Sequence, residues 1–190
     1  MYDTLPEVKG RIFVSAYEPT NVAPRQVNVS QTGKVSTKWT GVQRWDFTVR
    51  VEAFGHENIR TVQNFFNTHI DTPFLISLPL FQGTATSNGV VGASTPVRSS
   101  AVQVTGFKGS IQQGDFFTFG NHTKLYQARN TIKGSGNLQL FPPLRSLVTA
   151  SEPLILQNVA ICVRLTGDVK HAIDDVDWNA TFEFEVKEAF

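Results

Sequence analysis

The chain has 190 residues, with 17 lysines and arginines against 16 aspartates and glutamates and a formal net charge of +1. That length can bury one sizeable core, or two small ones, without metal or disulfide staples. The near-even charge argues against the basic excess of a nucleic-acid-binding domain and against a polybasic membrane-surface patch. The single cysteine, Cys162, excludes an internal disulfide framework and is consistent with synthesis in a reducing cytoplasm. It lies in the apolar run Val159-Ala160-Ile161-Cys162-Val163, so a buried, inert thiol is expected. Residues 1–7 lack the basic and apolar regions of a signal peptide, and no apolar run approaches the ~18 residues of a membrane span.

Valine, threonine, glycine, asparagine and the 15 phenylalanines dominate, the vocabulary of strands and turns. In chain order, Arg11–Ser15 reads as a short strand, followed by a loop over 21–25 bounded by Pro19 and Pro24. Gln26–Ser30, the turn Gln31-Thr32-Gly33-Lys34 and Val35–Trp39 read as a hairpin. Arg44–Glu52 alternates strictly: Trp45, Phe47, Val49 and Val51 fall on one face and Arg44, Asp46, Thr48, Arg50 and Glu52 on the other. That is the pattern of a half-buried antiparallel strand.

The period then changes. From His56 to Ile70 the apolar positions Ile59, Val62, Phe65, Phe66 and Ile70 form one helical stripe, with Glu57 in the first turn and Asp71-Thr72-Pro73 as the stop. Phe74–Leu80 reads as a buried strand. Gly83–Ser100, rich in small polar residues, reads as a mobile loop or linker. Short strands follow at Ala101–Phe107, Asp115–Phe119, Lys124–Arg129 and Asn137–Phe141, with Leu154–Arg164 continuing the series, so a small barrel or sandwich is expected there. The last strand alternates again, with Trp178, Ala180, Phe182, Phe184 and Val186 on one face. Its likeness to Arg44–Glu52 implies that the chain leaves a first domain (1–82), builds a second module (83–171), and returns its last strand (172–190) to the first sheet.

Little catalytic chemistry is legible. The sequence has no phosphate-binding glycine loop, no His-Glu-x-x-His, no cysteine pair and no Gly-x-Ser-x-Gly elbow. His56 and His69 lie too far apart for one helical face to offer both to a metal, and they read as surface or capping residues. His122 reads as a turn residue, and Asp174-Asp175-Val176-Asp177, without the glycine and distal glutamate of a calcium loop, as a solvated loop. Three Asn-x-Ser/Thr triplets, at Asn28, Asn121 and Asn179, carry no weight without a secretory signal. No catalytic, metal or cofactor-binding residue is assigned.

One ordered set of motifs is more informative. Gln113-Gly114-Asp115-Phe116-Phe117-Thr118-Phe119 is a turn into a strand, Thr123-Lys124-Leu125-Tyr126-Gln127 a second strand, and Leu138–Phe141 a third that is stopped by Pro142-Pro143-Leu144. This series resembles the second domain of distal tail proteins of siphophages, in particular the coliphage T-five type. The helix and strand at 56–81 and the alternating C-terminal strand extend the likeness to most of the chain from Arg44 onward. The resemblance implies a belt-type antiparallel sheet domain with one helix (about 56–70), formed by 1–82 and 172–190, plus an OB-like β-barrel at 83–171. It also implies a non-enzymatic virion component, made in the host cytoplasm. Such a protein forms a hexameric ring at the distal end of the tail tube, with the tube protein above and the tail hub or tip of the baseplate below. DNA crosses its lumen only in transit during genome ejection.

A channel for DNA should be poor in bases, which would hold the passing phosphates. Glu183, Glu185, Asp46 and Glu52 are the expected lumen-facing residues, against the simpler reading of a solvated sheet face that also carries Arg44, Arg50 and Lys187. Two other readings compete, beside a third, an enzyme, whose main weakness is the missing motifs. One is a tube or terminator subunit of the same tail. The other is an OB-like module binding nucleic acid or carbohydrate through Lys108, Lys124, Arg129, Lys133, Arg145, Arg164 and Tyr126.

Overall fold

Strict alternation does build the strands at the centre of the larger sheet. The protein is known from a computed structural model, which describes residues 2–40, 42–77, 84–174 and 177–189. The first part of the chain forms β1 (Ile12–Val22), β2 (Arg25–Val29), β3 (Val35–Trp39), β4 (Arg44–Phe54), α1 (His56–Thr68) and β5 (Phe74–Ser77). Then come β6 (Gly89–Val91), β7 (Ala101–Thr105), β8 (Ser110–Ile111), β9 (Phe116–Phe119), β10 (Tyr126–Ala128), β11 (Ile132–Lys133), β12 (Gly136–Phe141) and β13 (Pro153–Ile155). β14 (Ala160–Leu165), β15 (Lys170–Asp174) and β16 (Asn179–Glu188) complete the chain. The fold is mostly β, antiparallel throughout its sheets, with α1 the only α-helix among the described residues.

The larger sheet has the order β1-β4-β16-β14-β5, and β15 also pairs with β16. β4 and β16 run side by side with Val49 opposite Phe184 and Val51 opposite Phe182, so their apolar residues share one face. Helix α1 covers that face. Ile59, Val62, Phe65 and Phe66 are buried, and the Phe66 ring lies 4.7 Å from Phe184. Each buried phenylalanine contributes about 1.5–3 kcal/mol relative to exposure, so this aromatic layer holds helix and sheet together. The helix ends at Thr68, and Ile70 is left 62 % exposed beyond it, so the expected stripe is one residue too long.

The second part closes into a barrel of six strands, β10-β12-β7-β6-β13-β9, one more strand than an OB-fold. Its interior holds Phe117, Phe119, Tyr126, Leu138 and Leu140 among others. Phe116, on the other face of β9, joins the core of the larger sheet. The run Phe116-Phe117-Thr118-Phe119 is buried throughout because β9 has a core on both sides.

Several expectations are corrected. β1 runs to Val22 rather than Ser15, because β4 offers it a pairing partner over its whole length, Pro19 included. Residues 84–100 are not a free linker but part of the barrel. β6 is a barrel stave, and backbone bonds Thr86 N–H to Lys108 O, Thr95 N–H to Val148 O and Arg98 N–H to Leu144 O pin the segment every few residues. Leu154–Arg164 splits between the two bodies: β13 belongs to the barrel, while β14 pairs with β5 and β16 in the larger sheet. The boundary expected at 171 therefore falls between Ile155 and Ala160. Trp178, expected on the inner face, is 42 % exposed in a left-handed turn (φ 48°) before β16. Residues 78–83 and 175–176, which carry the rest of the Phe74–Leu80 strand, the boundary at 82–83 and part of the acidic cluster, lie outside the described residues.

Gly109 adopts φ +95°, and a Cβ there would overlap the Thr84 carbonyl. Gly134, at φ +65°, has open space around it. Gly109→Ala is therefore expected to cost more than about 2 kcal/mol of unfolding free energy, and Gly134→Ala only about 1 kcal/mol from backbone strain alone. Urea denaturation of the two variants checks this, and equal losses would show that the Thr84 contact does not constrain the barrel.

Candidate functional site

Three features stand apart from simple core packing: the outer sheet face, an uncovered hairpin arm, and a buried ionic junction. On the outer face, Thr181 lies opposite Glu52, Glu183 opposite Arg50, Glu185 opposite Thr48 and Lys187 opposite Asp46. The structure thus brings Asp46, Glu52, Glu183 and Glu185 onto one surface, away from the core. It also brings bases there. Arg44 Nε binds Asp46 at 2.9 Å and Arg50 Nη2 binds Glu183 at 2.9 Å. The Arg50 guanidinium holds the Glu183 carboxyl below its usual range, and Lys170 across the β15–β16 pair acts in the same direction. Both ion pairs are solvent-exposed and screened, so the face is a mixed field in which Glu52 and Glu185 make no ion pair among the described residues.

The arm is the β2–β3 hairpin, which joins no other sheet. Register puts Arg25 opposite Trp39, Val27 opposite Thr37 and Val29 opposite Val35, so one face of the hairpin carries Val27, Val29, Val35 and Trp39, together with Arg25 and Thr37 at its base. The other carries Gln26, Asn28, Ser36 and Lys38. This is the pattern of a half-buried hairpin, yet Val27, Val29 and Val35 are 57 %, 66 % and 60 % exposed. Only the base is packed, where Trp39 lies 6.1 Å from Phe141 of the barrel. An isolated two-stranded ribbon is marginal in water, and an apolar face left bare on one is a surface awaiting a partner.

The junction is centred on Glu188, at the end of β16 and 4 % exposed. Its carboxylate accepts hydrogen bonds from the backbone N–H of Trp45 (3.1 Å) and of Leu125 (2.6 Å), and it pairs with the buried Lys124 ammonium. Trp45 belongs to the sheet, and Leu125 and Lys124 to the barrel, so one carboxylate bridges the two bodies. The Trp45 ring meets Phe116 edge-on at 5.1 Å beside it. Arg145 donates from Nη2 to the Gln43 carbonyl at 2.9 Å, and its backbone N–H donates to the Tyr126 hydroxyl at 3.2 Å. Burial is the largest influence on Lys124 and pulls its pKa down to about 8. Glu188 opposes that shift and Arg145 adds to it. Burial likewise raises the Tyr126 phenol to about 12.

The binding-module residues do not converge. Lys124 and Tyr126 are buried, so neither reaches a groove, and Arg164 lies on the larger sheet opposite Lys187. The histidines are dispersed. His69 is buried and ends α1, with its Nδ1 2.8 Å from the Phe65 carbonyl. His56 stacks on Trp178 at 3.4 Å, and the His171 ring is 6.0 Å from Phe182. His122 is less bland than a turn residue, because its ring lies 3.2 Å from the Tyr126 hydroxyl and 3.8 Å from Glu152. Cys162 is buried, and burial raises its thiol pKa. Asp174 sits in β15. Sequence reasoning missed Glu188, whose only signal is an acid at an inward-facing position of an alternating strand. Neither the protein-family models nor the curated proteins give a match to this sequence.

Lys124→Met leaves Glu188 buried without its cation and is expected to cost about 3–5 kcal/mol, whereas Lys124→Met combined with Glu188→Gln recovers much of that loss. A double-mutant cycle from urea melts measures both. The folded chain gives up the Lys124 proton near pH 8, and the unfolded chain keeps it to about 10.5. Between these values the unfolded state binds more protons, so wild-type stability relative to Lys124→Met rises with pH. A flat difference from pH 7 to 11 would show that Lys124 is not held in a desolvated site.

Proposed function

We propose that this chain is a structural, non-catalytic subunit that closes into a ring of about six copies at the distal end of a siphophage tail tube. The single observation that carries the reading is the bare valine-rich face of the β2–β3 arm, which among the described residues is packed only at Trp39. A second copy is the occupant that a symmetric assembly supplies. The open edge of β1 adds to this. Its long free flank, interrupted by a bulge near Ser15 and by Pro19, is kept from indiscriminate strand addition and left for a defined contact.

The remaining assignments rest on the motif resemblance of residues 113–145 together with the mostly-β architecture and its small barrel. The larger sheet acts as the ring-forming belt. The barrel sits beside it, fixed by the Glu188 junction. The tail tube protein stacks above and the hub or tip protein below, in a virion tail whose subunits are made in the host cytoplasm. The surface bearing Asp46, Glu52, Glu183 and Glu185 faces the lumen, where its four acids outnumber the three bases Arg44, Arg50 and Lys187 of the same two strands, and Arg44 and Arg50 each face a carboxylate of the same surface.

The test is native mass and negative-stain imaging of the purified chain over a range of concentrations. A ring of about six 21.1 kDa chains, near 127 kDa, with a central hole of ~20 Å or more, is expected. Val27→Asp with Val29→Asp and Val35→Asp is expected to leave a folded monomer, since all three side chains are exposed. Long tubes would assign the chain to the tube instead, and a monomer at every concentration would overturn the ring.

A further inference from the structure

At the foot of the arm, between it and the barrel, two clefts meet on Trp39. The larger, about 500 Å³, is walled by Trp39, Val42, Val97, Arg98, Pro143 and Arg145. The smaller, about 370 Å³, is lined by the same indole with Arg25, Thr37 and Phe141. Among the described residues lining the two, three are arginines and none is acidic. Arg25 and Arg98 are exposed and make no ion pair among the described residues. Val42 and Val97 are 49 % and 48 % exposed, so the same walls offer aliphatic surface to solvent.

The walls are built rather than loose. Trp39 Nε1 donates to the Val42 carbonyl at 3.1 Å, and the Thr40 hydroxyl donates to the Pro24 carbonyl at 2.9 Å. Arg98 N–H donates to Leu144 O and Leu144 N–H to Ser99 O, at 2.8 and 2.9 Å, which clamps the 97–99 loop onto the 143–145 turn. Arg98 itself holds φ +70°, a left-handed conformation that is costly for a residue with a long side chain. A strained arginine on a clamped loop is pre-organised, which lowers the entropy lost on binding.

We infer that this double cleft docks an extended segment of a partner protein that carries carboxylates alternating with apolar side chains. Guanidinium forks pair with carboxylates in two-point geometry, and the planar fork loses less freedom per hydrogen bond than a flexible ammonium does. Val42, Val97 and Pro143 supply pockets for aliphatic side chains. Single-stranded nucleic acid fits worse, because it needs several stacking platforms in a row and the clefts share one indole. The inference rests on the clefts alone and stands or falls independently of the ring.

The test is fluorescence anisotropy of the full chain with three labelled probes: a dodecapeptide of alternating glutamate and leucine, its lysine–leucine counterpart, and an oligothymidine of equal length. At low salt the acidic peptide is expected to saturate, with affinity falling by at least about ten-fold in Arg25→Glu/Arg98→Glu and the lysine peptide showing no saturation. Arg98→Asn, which suits the left-handed backbone, serves as the second variant. It is expected to fold at least as stably as wild type and still bind more weakly. No saturation by the acidic peptide, or equal binding by wild type and both variants, would falsify the inference. Tighter binding of the oligothymidine would reassign the cleft to nucleic acid. A change in the native mass of the chain caused by Arg25→Glu/Arg98→Glu would show that the cleft is closed by a second copy, and would overturn it as well.

Discussion

The two cores of this molecule are tied together around one buried carboxylate. Glu188 is the last residue of the last strand, and it receives the Trp45 N–H, the Leu125 N–H and the Lys124 ammonium at once. A buried carboxylate is tolerable only when its oxygens are saturated by donors, and a buried ammonium only when a countercharge meets it. Those requirements bind residues from positions 45, 124–125 and 188 to a single geometry. The barrel cannot swing on the sheet without stranding a charge in an apolar setting, and the Trp45–Phe116 contact beside the pair makes the same boundary dry.

That constraint explains how the chain can leave the larger sheet after β5, build a closed barrel and return at β14 without the two bodies becoming independent. β9 is a wall of both: Phe117 and Phe119 fill the barrel, while Phe116 reaches the sheet core. A strand with apolar demands on both faces has no solvent side, so it must lie between two packed layers. The barrel also has no open edge, whereas among the described residues the larger sheet keeps open edges along β1 and along β15, which pairs with β16 alone. Exposed backbone edges and bare apolar ribbons are hazards that proteins either blunt or assign to a partner. Here the closed barrel is self-sufficient, and the unpaired surface lies on the larger sheet, along β1 and β15, and on the arm.

The proposed assembly uses this division of labour. The ring contact falls to the elements whose own chain does not complete them, while the helix-covered inner face of the sheet stays a conventional core. The cleft at the arm's foot occupies the seam between the arm and the barrel, where Trp39 and Phe141 meet. Its arginines and aliphatic walls are positioned by backbone bonds from loops of both the sheet domain and the barrel, so recognition there depends on the same fixed relation that Glu188 secures.

The linear sequence determined the parts whose signal is local. Alternation at Trp45–Val51 and at Ala180–Val186 specified which face of each strand is buried, because the side-chain period of a strand is two whatever it packs against. The spacing of Ile59, Val62, Phe65 and Phe66 specified the helix for the same reason. Only the tertiary structure decided what covers each face and which strands pair. The arm alternates like a buried hairpin yet lies bare. Residues 84–100 look structureless because they are held by backbone bonds, which no side-chain pattern records. Leu154–Arg164 divides between two bodies although its apolar run is continuous. Lys124 reads in the sequence as one base of a binding groove, because the acid that permits its burial lies 64 residues away along the chain. Periodicity reports the geometry of one strand, whereas the cost of burying a charge or leaving a face open is settled between segments that meet only after folding.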